Sequence, residues 1–449
     1  MIDSSTALDR CERMLQAARK AGAETADVVM SASASESVTV RLGALEDAER
    51  SEEEAVGLRV FIGQQSATVS ASTFSNDAAA EMAERAVAMA RLAPEDPYAG
   101  LAPEHMLSSA ADHRDLDLAD PGEPSPTELK ARALEAEEAA RGVAGVTNSQ
   151  GGSASFGQSV VALATSHGFS GAYRATSHGI SASVIAGEGD AMQRDYAYRT
   201  ARHLADLPSG TDIGVLAGER TVARLNPQTM PSGSVPILFD PRVSDSLVGH
   251  LLGAMNGAAI ARRSSFLLDR LEDELFPDSI IITDDPHRLR GPRSRAFDGE
   301  GLLTRQSDLV KNGKVTGWIL NAASARQLGL APTGHASRGG SGAPGASVTN
   351  VHMQPGAITR EAMIADVEDG ILVTELVGQG VNGVTGDYSR AASGFRIRNG
   401  VLSEPVSGFT LAGNLLDMYA AMTPADDLAM HQAVNVPTVR VDGMTIAGA

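Results

Sequence analysis

One cysteine, Cys11, stands in 449 residues. That excludes an internal disulfide framework and every cysteine-rich zinc module, and it fits a reducing compartment. Aromatic residues are scarce, at 4%, so the core has to be built largely from Ala, Val, Ile and Leu. No apolar run reaches the ~18 residues of a membrane span. The opening stretch, MIDSSTALDRCER, lacks the apolar segment of a targeting signal. A cytoplasmic location without a membrane partner is therefore expected. Positive charge is in deficit as well: 37 Lys and Arg face 56 Asp and Glu, a net charge of −19. Phosphate binding needs a basic surface, so nucleic acid is not expected as a partner. Arg262-Arg263 and the stretch from Arg288 to Arg295 are the only local basic candidates.

Familiar catalytic signatures are also missing. None of the ten histidines precedes a glutamate, and no two lie three, four or five residues apart. No single helix turn can therefore present a histidine pair to a metal. A nucleophile elbow fails at Gly339-Gly-Ser-Gly-Ala343, which lacks the final glycine, and the glycine-rich run Gly334 to Gly345 has no P-loop lysine and reads as a mobile loop. Gly378-Gln-Gly-Val-Asn-Gly383 does match G-x-G-x-x-G after a strand-like run, Ile371 to Val377. A dinucleotide site needs a helix next, with its N-terminus on the pyrophosphate. Here Val384 to Ser389 and a hairpin follow, so the glycines are read as tight turns and exposed backbone. A metal site assembled from distant residues (His335, His352, Glu375 and Asp387) stays open.

What is present is an alternation of helices and strands. Leu8, Cys11, Leu15 and Ala18 recur at helical spacing, which predicts an amphipathic helix ending near Gly22 with Cys11 on its buried stripe. Strands are predicted at 37–42, 58–62 and 66–73, the first two flanking an acidic run from Glu46 to Glu54, and a helix at about 76–93 before Pro94. Residues 94–126 read as a linker or crossing segment. Ser125-Pro-Thr-Glu128 is a capping box that opens another helix, ending at Gly142. Strands at 159–165, 179–185 and 196–203 then repeat the first pattern loosely. From Arg224 the character changes. A buried strand at 235–239 and a helix at about 243–260 precede Asn312-Gly313, Asn399-Gly400 and Asp442-Gly443, three two-residue hairpin signals. The expectation is an α+β protein: a mixed N-terminal domain over 1–220, then an antiparallel, β-rich domain over 224–449.

Several segments resemble a known family. They are VTELVGQGVNGVTGDYSRAASGFRIRNG from Val373, GFTLAGNLLDMY from Gly408, RRSSFLLDRL from Arg262, and PTGHA from Pro332. With GAETADVVMSASASESVTVRLGALEDAERSE from Gly22, they resemble TldE-type chains of the TldD/TldE (PmbA) metallopeptidase family, also called modulators of DNA gyrase. The resemblance implies a subunit that pairs with a TldD-type chain, whose H-E-x-x-x-H helix and late cysteine hold zinc. The segment similar to that helix is Gly249-His-Leu-Leu-Gly-Ala-Met255. His250 matches the first histidine, but Leu251 and Met255 replace the glutamate and the second histidine. Leucine cannot act as a base, and a thioether is a poor zinc ligand. The resemblance thus implies no catalytic or metal residue and no cofactor in this chain. It implies a wall of a chamber in which an unstructured peptide is processed. Candidate surface residues for substrate or partner are His250, opposite the helix stripe and facing solvent or partner, His335, and Gly378, Gln379, Gly380, Asn382, Thr385, Asp387, Tyr388 and Ser389. Two other readings compete: a self-sufficient hydrolase with a non-standard metal site, and a gyrase-linked adaptor.

Overall fold

The fold is that of a computed structural model describing residues 2–339 and 342–448. Gly340 and Ser341, in the failed nucleophile elbow and the glycine-rich loop, lie outside the described residues. The first half consists of α1 (Ser4–Ala21), β1 (Thr25–Arg41), β2 (Ala44–Ile62), β3 (Gln65–Ala71), α2 (Asn76–Leu92), α3 (Pro126–Gly142), β4 (Val146–Thr165), β5 (Ser170–Ala186), β6 (Gln193–Ala201) and α4 (Gly210–Ala223). The loose repeat is thus helix, three antiparallel strands, helix, twice over. The two units join through β1 and β4 into one six-stranded sheet, β3-β2-β1-β4-β5-β6. All four helices cover one face. α1 and α2 pack on Val28, Met30, Leu58, Val60 and Ala162. α3 packs on Val38, Val40 and Phe156, and with α4 it covers Ile180, Ala182 and Val184.

Local chemistry explains the helix ends. Asp3 caps α1 by accepting from the Thr6 amide at 2.7 Å, and Gly22 leaves it at φ +102°. The Ser125–Glu128 capping box opens α3 as expected. The acidic run is not a loop between strands but the exposed half of β2, reached through a turn at Leu42 (φ +52°) and Gly43 (φ +79°). A leucine is a poor left-handed residue. Here the amides of Leu42 and Gly43 donate to the buried Glu137 carboxylate of α3 at 2.6 and 2.9 Å, which holds the turn.

The second half contains β7 (Gly233–Ser234), β8 (Ile237–Phe239), α5 (Pro241–Ala254), α6 (Gly257–Ala261), β9 (Ile282–Asp284), β10 (Ser307–Lys311), β11 (Lys314–Val315) and α7 (Ala322–Leu328). Then come β12 (Ala336–Ser337), β13 (Gly345–Ala346), β14 (Val351–Met353), α8 (Arg360–Ala365), β15 (Asp369–Val377), β16 (Asp387–Arg398) and β17 (Val401–Asn414). α9 (Leu415–Ala420), β18 (Met422–Pro424), β19 (Val434–Asn435), β20 (Val439–Val441) and β21 (Thr445–Ala447) complete the chain. Eight strands form one sheet, β18-β20-β8-β15-β16-β17-β21-β7. β7 and β8 stand five places apart, about 24 Å across a flat sheet. Only Val235 and Pro236 join them, a link of at most about 11 Å. The sheet therefore curls back on itself around a core that includes Phe239, Leu247, Leu251, Met255, Phe409 and Tyr419.

Two hairpins form where expected, with Asn312 and Asn399 at φ +49° and the following glycines at φ +76°. The third does not. Only Gly443 is left-handed, and β20 and β21 separate to different partners, β18 with β8 and β17 with β7. The expected helix at 243–260 is also two helices. The Ile319 backbone intervenes, donating to Met255 O at 3.0 Å and accepting from Gly257 N at 2.9 Å.

Segment 94–125 contains no α-helix or strand among the described residues and crosses between the halves, the next residue opening α3. Its Ser108 amide donates to Gly301 O, and Leu116 O accepts from Arg290 N, each at 2.9 Å. Beside it lies a buried ion cluster. Asp27 of β1 takes Arg59 Nε at 3.0 Å and also pairs with Arg338 of the second half. Arg59 approaches Glu300 at 3.6 Å. No helix among the described residues is long and apolar enough to cross a membrane.

Candidate functional site

α5 is capped by Asp240, starts on Pro241, and leans its Leu247, Val248, Leu251 and Met255 stripe into the curled sheet. Leu251 and Met255 are both 0% exposed. His250 departs from expectation. It turns inward, its Nε2 has neither solvent contact nor a hydrogen-bond partner, and its ring meets Tyr388 edge-on with centroids 6.2 Å apart. Sequence reading named these two residues separately; the fold brings them together.

Tyr388 is buried, and its hydroxyl also lacks a partner. Two residues along the same face of β16, Arg390 donates Nη2 to Leu376 O at 3.3 Å while its Nε is left over. Three buried polar atoms thus gather under α5 without a well-formed hydrogen bond, the Arg390 guanidinium standing close to the Tyr388 hydroxyl, an uncommon and costly arrangement. Burial first, then the Arg390 charge, lowers the proton affinity of His250. Burial raises the Asp245 carboxyl to about 6 and the Tyr388 phenol to about 12. This donor set does not fit zinc. It offers one imidazole next to a guanidinium, and the glutamate and second-histidine positions are core hydrocarbon. No group of three metal-ligating side chains occurs among the described residues.

The 378–386 segment lies above this nest as an exposed loop joining β15 to β16, and 387–389 open β16 with Tyr388 turned inward, against the expectation that it lines the surface. Gly378, Gln379, Gly380, Asn382, Thr385, Asp387 and Ser389 are exposed. So are the apolar Val377 and Val384, at 59% and 56%. Asn382 Oδ1 accepts from the amides of Val384 and Thr385, and Thr385 Oγ1 donates to Asp387 at 2.6 Å. Gly380 is obligatory, because a Cβ there would sit 1.8 Å from Ser389 O. The polar side chains shape the loop, and its flanks stay open.

His335 is not brought to this surface. It is 5% exposed and sits beside a different sheet, with Nε2 3.0 Å from Asp284 and Nδ1 2.8 Å from Thr333 Oγ1. Both ring nitrogens are occupied. Glu375, a member of the distributed metal set, pairs with Arg224 and accepts from Ser393 at 2.8 Å. Cys11 is a core residue: burial, then the Glu12 charge, pushes its thiol up to about 12, which leaves it unreactive. Sequence reading missed Arg390 and Asp245. The signal for Arg390 was its spacing of two from Tyr388 on a strand.

Three family models match most of the chain. Domain 1 of the PmbA/TldA metallopeptidases covers 26–90, their central domain 119–225 and their C-terminal domain 232–448. The "Metalloprotease PmbA" of Escherichia coli O157:H7 is 38% identical over 94% of this chain and 92% of its own length. The chain belongs to the PmbA/TldD metallopeptidase family. A PmbA homologue of Haemophilus influenzae is 36% identical over 97% of this chain and 94% of its own. Among solved structures, a candidate modulator of DNA gyrase from Bacteroides thetaiotaomicron superposes with a TM-score of 0.92 at 25% identity, covering 100% of both chains. TldE from Thermococcus kodakarensis gives 0.86 at 19% identity, over 98% of this chain and 100% of its own, a likeness of fold.

Proposed function

We propose that this PmbA/TldD-family chain is the non-catalytic, TldE-type subunit of a cytoplasmic heterodimeric metallopeptidase that processes flexible peptides. The zinc belongs to a TldD-type partner. One observation carries the reading: at the helix positions where a metal-bearing relative needs a general base and a second histidine, this chain has Leu251 and Met255, fully buried in its core. The exposed loop 378–386, with His250, Tyr388 and Arg390 beneath it, and the start of β16 form part of the chamber wall. Val377 and Val384 offer apolar contacts to an extended peptide, and loop backbone offers hydrogen bonds.

The test is co-expression with a TldD-type chain from the same genome. A stoichiometric complex is expected, with zinc only in the partner, and a fluorogenic unstructured peptide cut by the complex alone. Zinc retained by this chain through mild chelation, with peptide cleavage in the partner's absence, would establish the self-sufficient hydrolase instead. Gyrase binding without any TldD-type chain would favour the adaptor.

A further inference from the structure

The edge strand β6 faces a cleft that the second half closes from the other side. Two cavities of about 660 and 250 Å³ share Arg199 and His431 and so run into one another. Seven arginines line them against two aspartates, an inversion of sign in a chain of net charge −19. Three of the arginines are neutralised: Arg242 by Asp195, Arg290 by Asp117 and Asp206, Arg360 by Asp240 and Asp427.

The other four have no carboxylate within salt-bridge distance among the described residues. Arg199 donates to Tyr198 O at 2.9 Å and Arg220 to Tyr196 O at 3.3 Å. Arg202 donates to Thr176 O at 2.9 Å, and Arg288 to Gln432 O at 3.3 Å. Asp195 and Asp240, whose charges reach Arg220, are already held by Arg242 and Arg360, and Asp285 acts on Arg288 only from beyond salt-bridge distance. Burial weakens the hold of Arg202, Arg220 and Arg288 on their protons, yet a guanidinium does not shed its charge in a protein. The unbalanced charge is spread along the cleft: Arg202 and Arg288 line the larger cavity, Arg220 the smaller, and Arg199 both. Tyr196 and Tyr198, stacked with centroids 6.1 Å apart and 51% and 42% exposed, lie on the same wall.

We infer that this cleft binds a glutamate- or aspartate-rich stretch of an extended peptide, with carboxylates on Arg199, Arg202, Arg220 and Arg288 and the tyrosine pair against its apolar parts. A single small anion would use one guanidinium and leave the others unbalanced. A nucleic acid would carry its phosphates out of the cleft onto a repulsive surface, whereas a peptide is free to be neutral beyond its acidic stretch. The inference deepens the peptide-handling role proposed above and rests on it for biological meaning, while its test needs neither partner nor cleavage.

The experiment measures fluorescence anisotropy of a labelled glutamate-rich peptide with the isolated chain, against glutamine- and lysine-rich peptides of equal length. Inorganic phosphate and a single-stranded oligonucleotide serve as competitors. The acidic peptide alone is expected to bind, more weakly as salt rises. Arg199→Glu with Arg220→Glu should raise its Kd by at least about tenfold. Each of these side chains has a single hydrogen bond, to a backbone carbonyl, so the melting temperature should hold; Arg199→Gln with Arg220→Gln, which adds no repulsion, should give a smaller loss of affinity. Equal binding of the glutamine-rich peptide, an unchanged Kd in both double variants, or tighter binding of the oligonucleotide would overturn the inference. Binding without cleavage in the reconstituted complex would overturn the subunit proposal and leave the cleft assignment standing.

Discussion

Two buried polar clusters in this molecule differ in how their charges are matched. At the seam between the halves, Asp27 is matched by Arg59 and Arg338, and even Glu300 has a charge within 3.6 Å. Under α5, His250 Nε2, Tyr388 Oη and Arg390 Nε lack well-formed hydrogen bonds, and no carboxylate among the described residues pairs with Arg390, which stands close to the Tyr388 hydroxyl. Unpaired buried groups are expensive, so a fold keeps few of them unless something else completes them. The seam matches two cations to two carboxylates within the chain, although Glu300 Oε1 and Arg338 Nε are left without hydrogen bonds, and it serves architecture. The nest lies beneath the exposed loop, where the proposed substrate and partner meet the chain.

The strongest way to break the contrast is to force metal ligands into the nest. Leu251→Glu with Met255→His recreates the family's histidine spacing around His250. It also places a charge and an imidazole at two positions that are 0% exposed, at a cost on the order of 5 kcal/mol. Urea unfolding should show that loss, and zinc titration should bring no peptide turnover by the chain alone. Robust, chelator-sensitive turnover would mean that the helix lacks only its ligands.

Next in size is the seam. Arg338→Ala strips Asp27 of one of its two cations while its carboxylate stays buried, which should cost about 3–5 kcal/mol. A lower calorimetric unfolding temperature than that of the wild type checks it. A variant as stable as the wild type would show that the cluster is dispensable.

The seam also has a pH signature. Burial, helped by Asp298 and opposed by Arg59, raises the Glu300 carboxyl to about 7 from 4.5. Between those values the folded state holds a proton that the unfolded state has released, so this group's contribution to stability falls as pH rises from about 4.5 to about 7. Glu300→Gln should remove that slope. Comparing variant with wild type isolates Glu300 from the histidines with lowered values, such as His250 and His352, which act in the opposite sense. Identical pH profiles would sink the prediction.

The smallest effect is expected at the nest. His250→Phe removes an unpartnered nitrogen and keeps a ring against Tyr388. The isolated chain should change by no more than about 1 kcal/mol in either direction, while peptide cleavage by the assembled complex should fall. A destabilisation as large as that of Arg338→Ala would place the nest with the seam as architecture.

Much of this was legible because it is local. The glycine after α1, the capping box at Ser125, the proline after α2 and two Asn-Gly turns each act within a few residues, and they mark element ends in the sequence. α4 was not legible. Its Gly210, Gly214 and Gly218 lower helix propensity, but they are there for α3: a Cβ on Gly214 would lie 2.2 Å from Ala136 O, and one on Gly218 2.5 Å from Val143 Cγ2. The Leu42-Gly43 turn was hidden because its support, Glu137, comes from a distant helix. For the site, sequence gave His250 and Tyr388 but neither their contact nor Arg390. The burial of His335 depends on Asp284 in another strand.

The curled sheet orders events during synthesis. The six-stranded sheet is complete once Ala201 has emerged, and its helix cover once Ala223 has. The eight-stranded sheet has no such early finish: β7, among its first residues, waits for β21 at the far end of the domain. Until the late strands arrive, Ile237 and Phe239 have no closed interior to enter. Asp27 and Arg59 likewise wait for Arg338 and stand open to water. A nascent chain therefore passes through a stage with one finished half and one sticky half, and that interval, rather than the final fold, is where a chaperone would be needed.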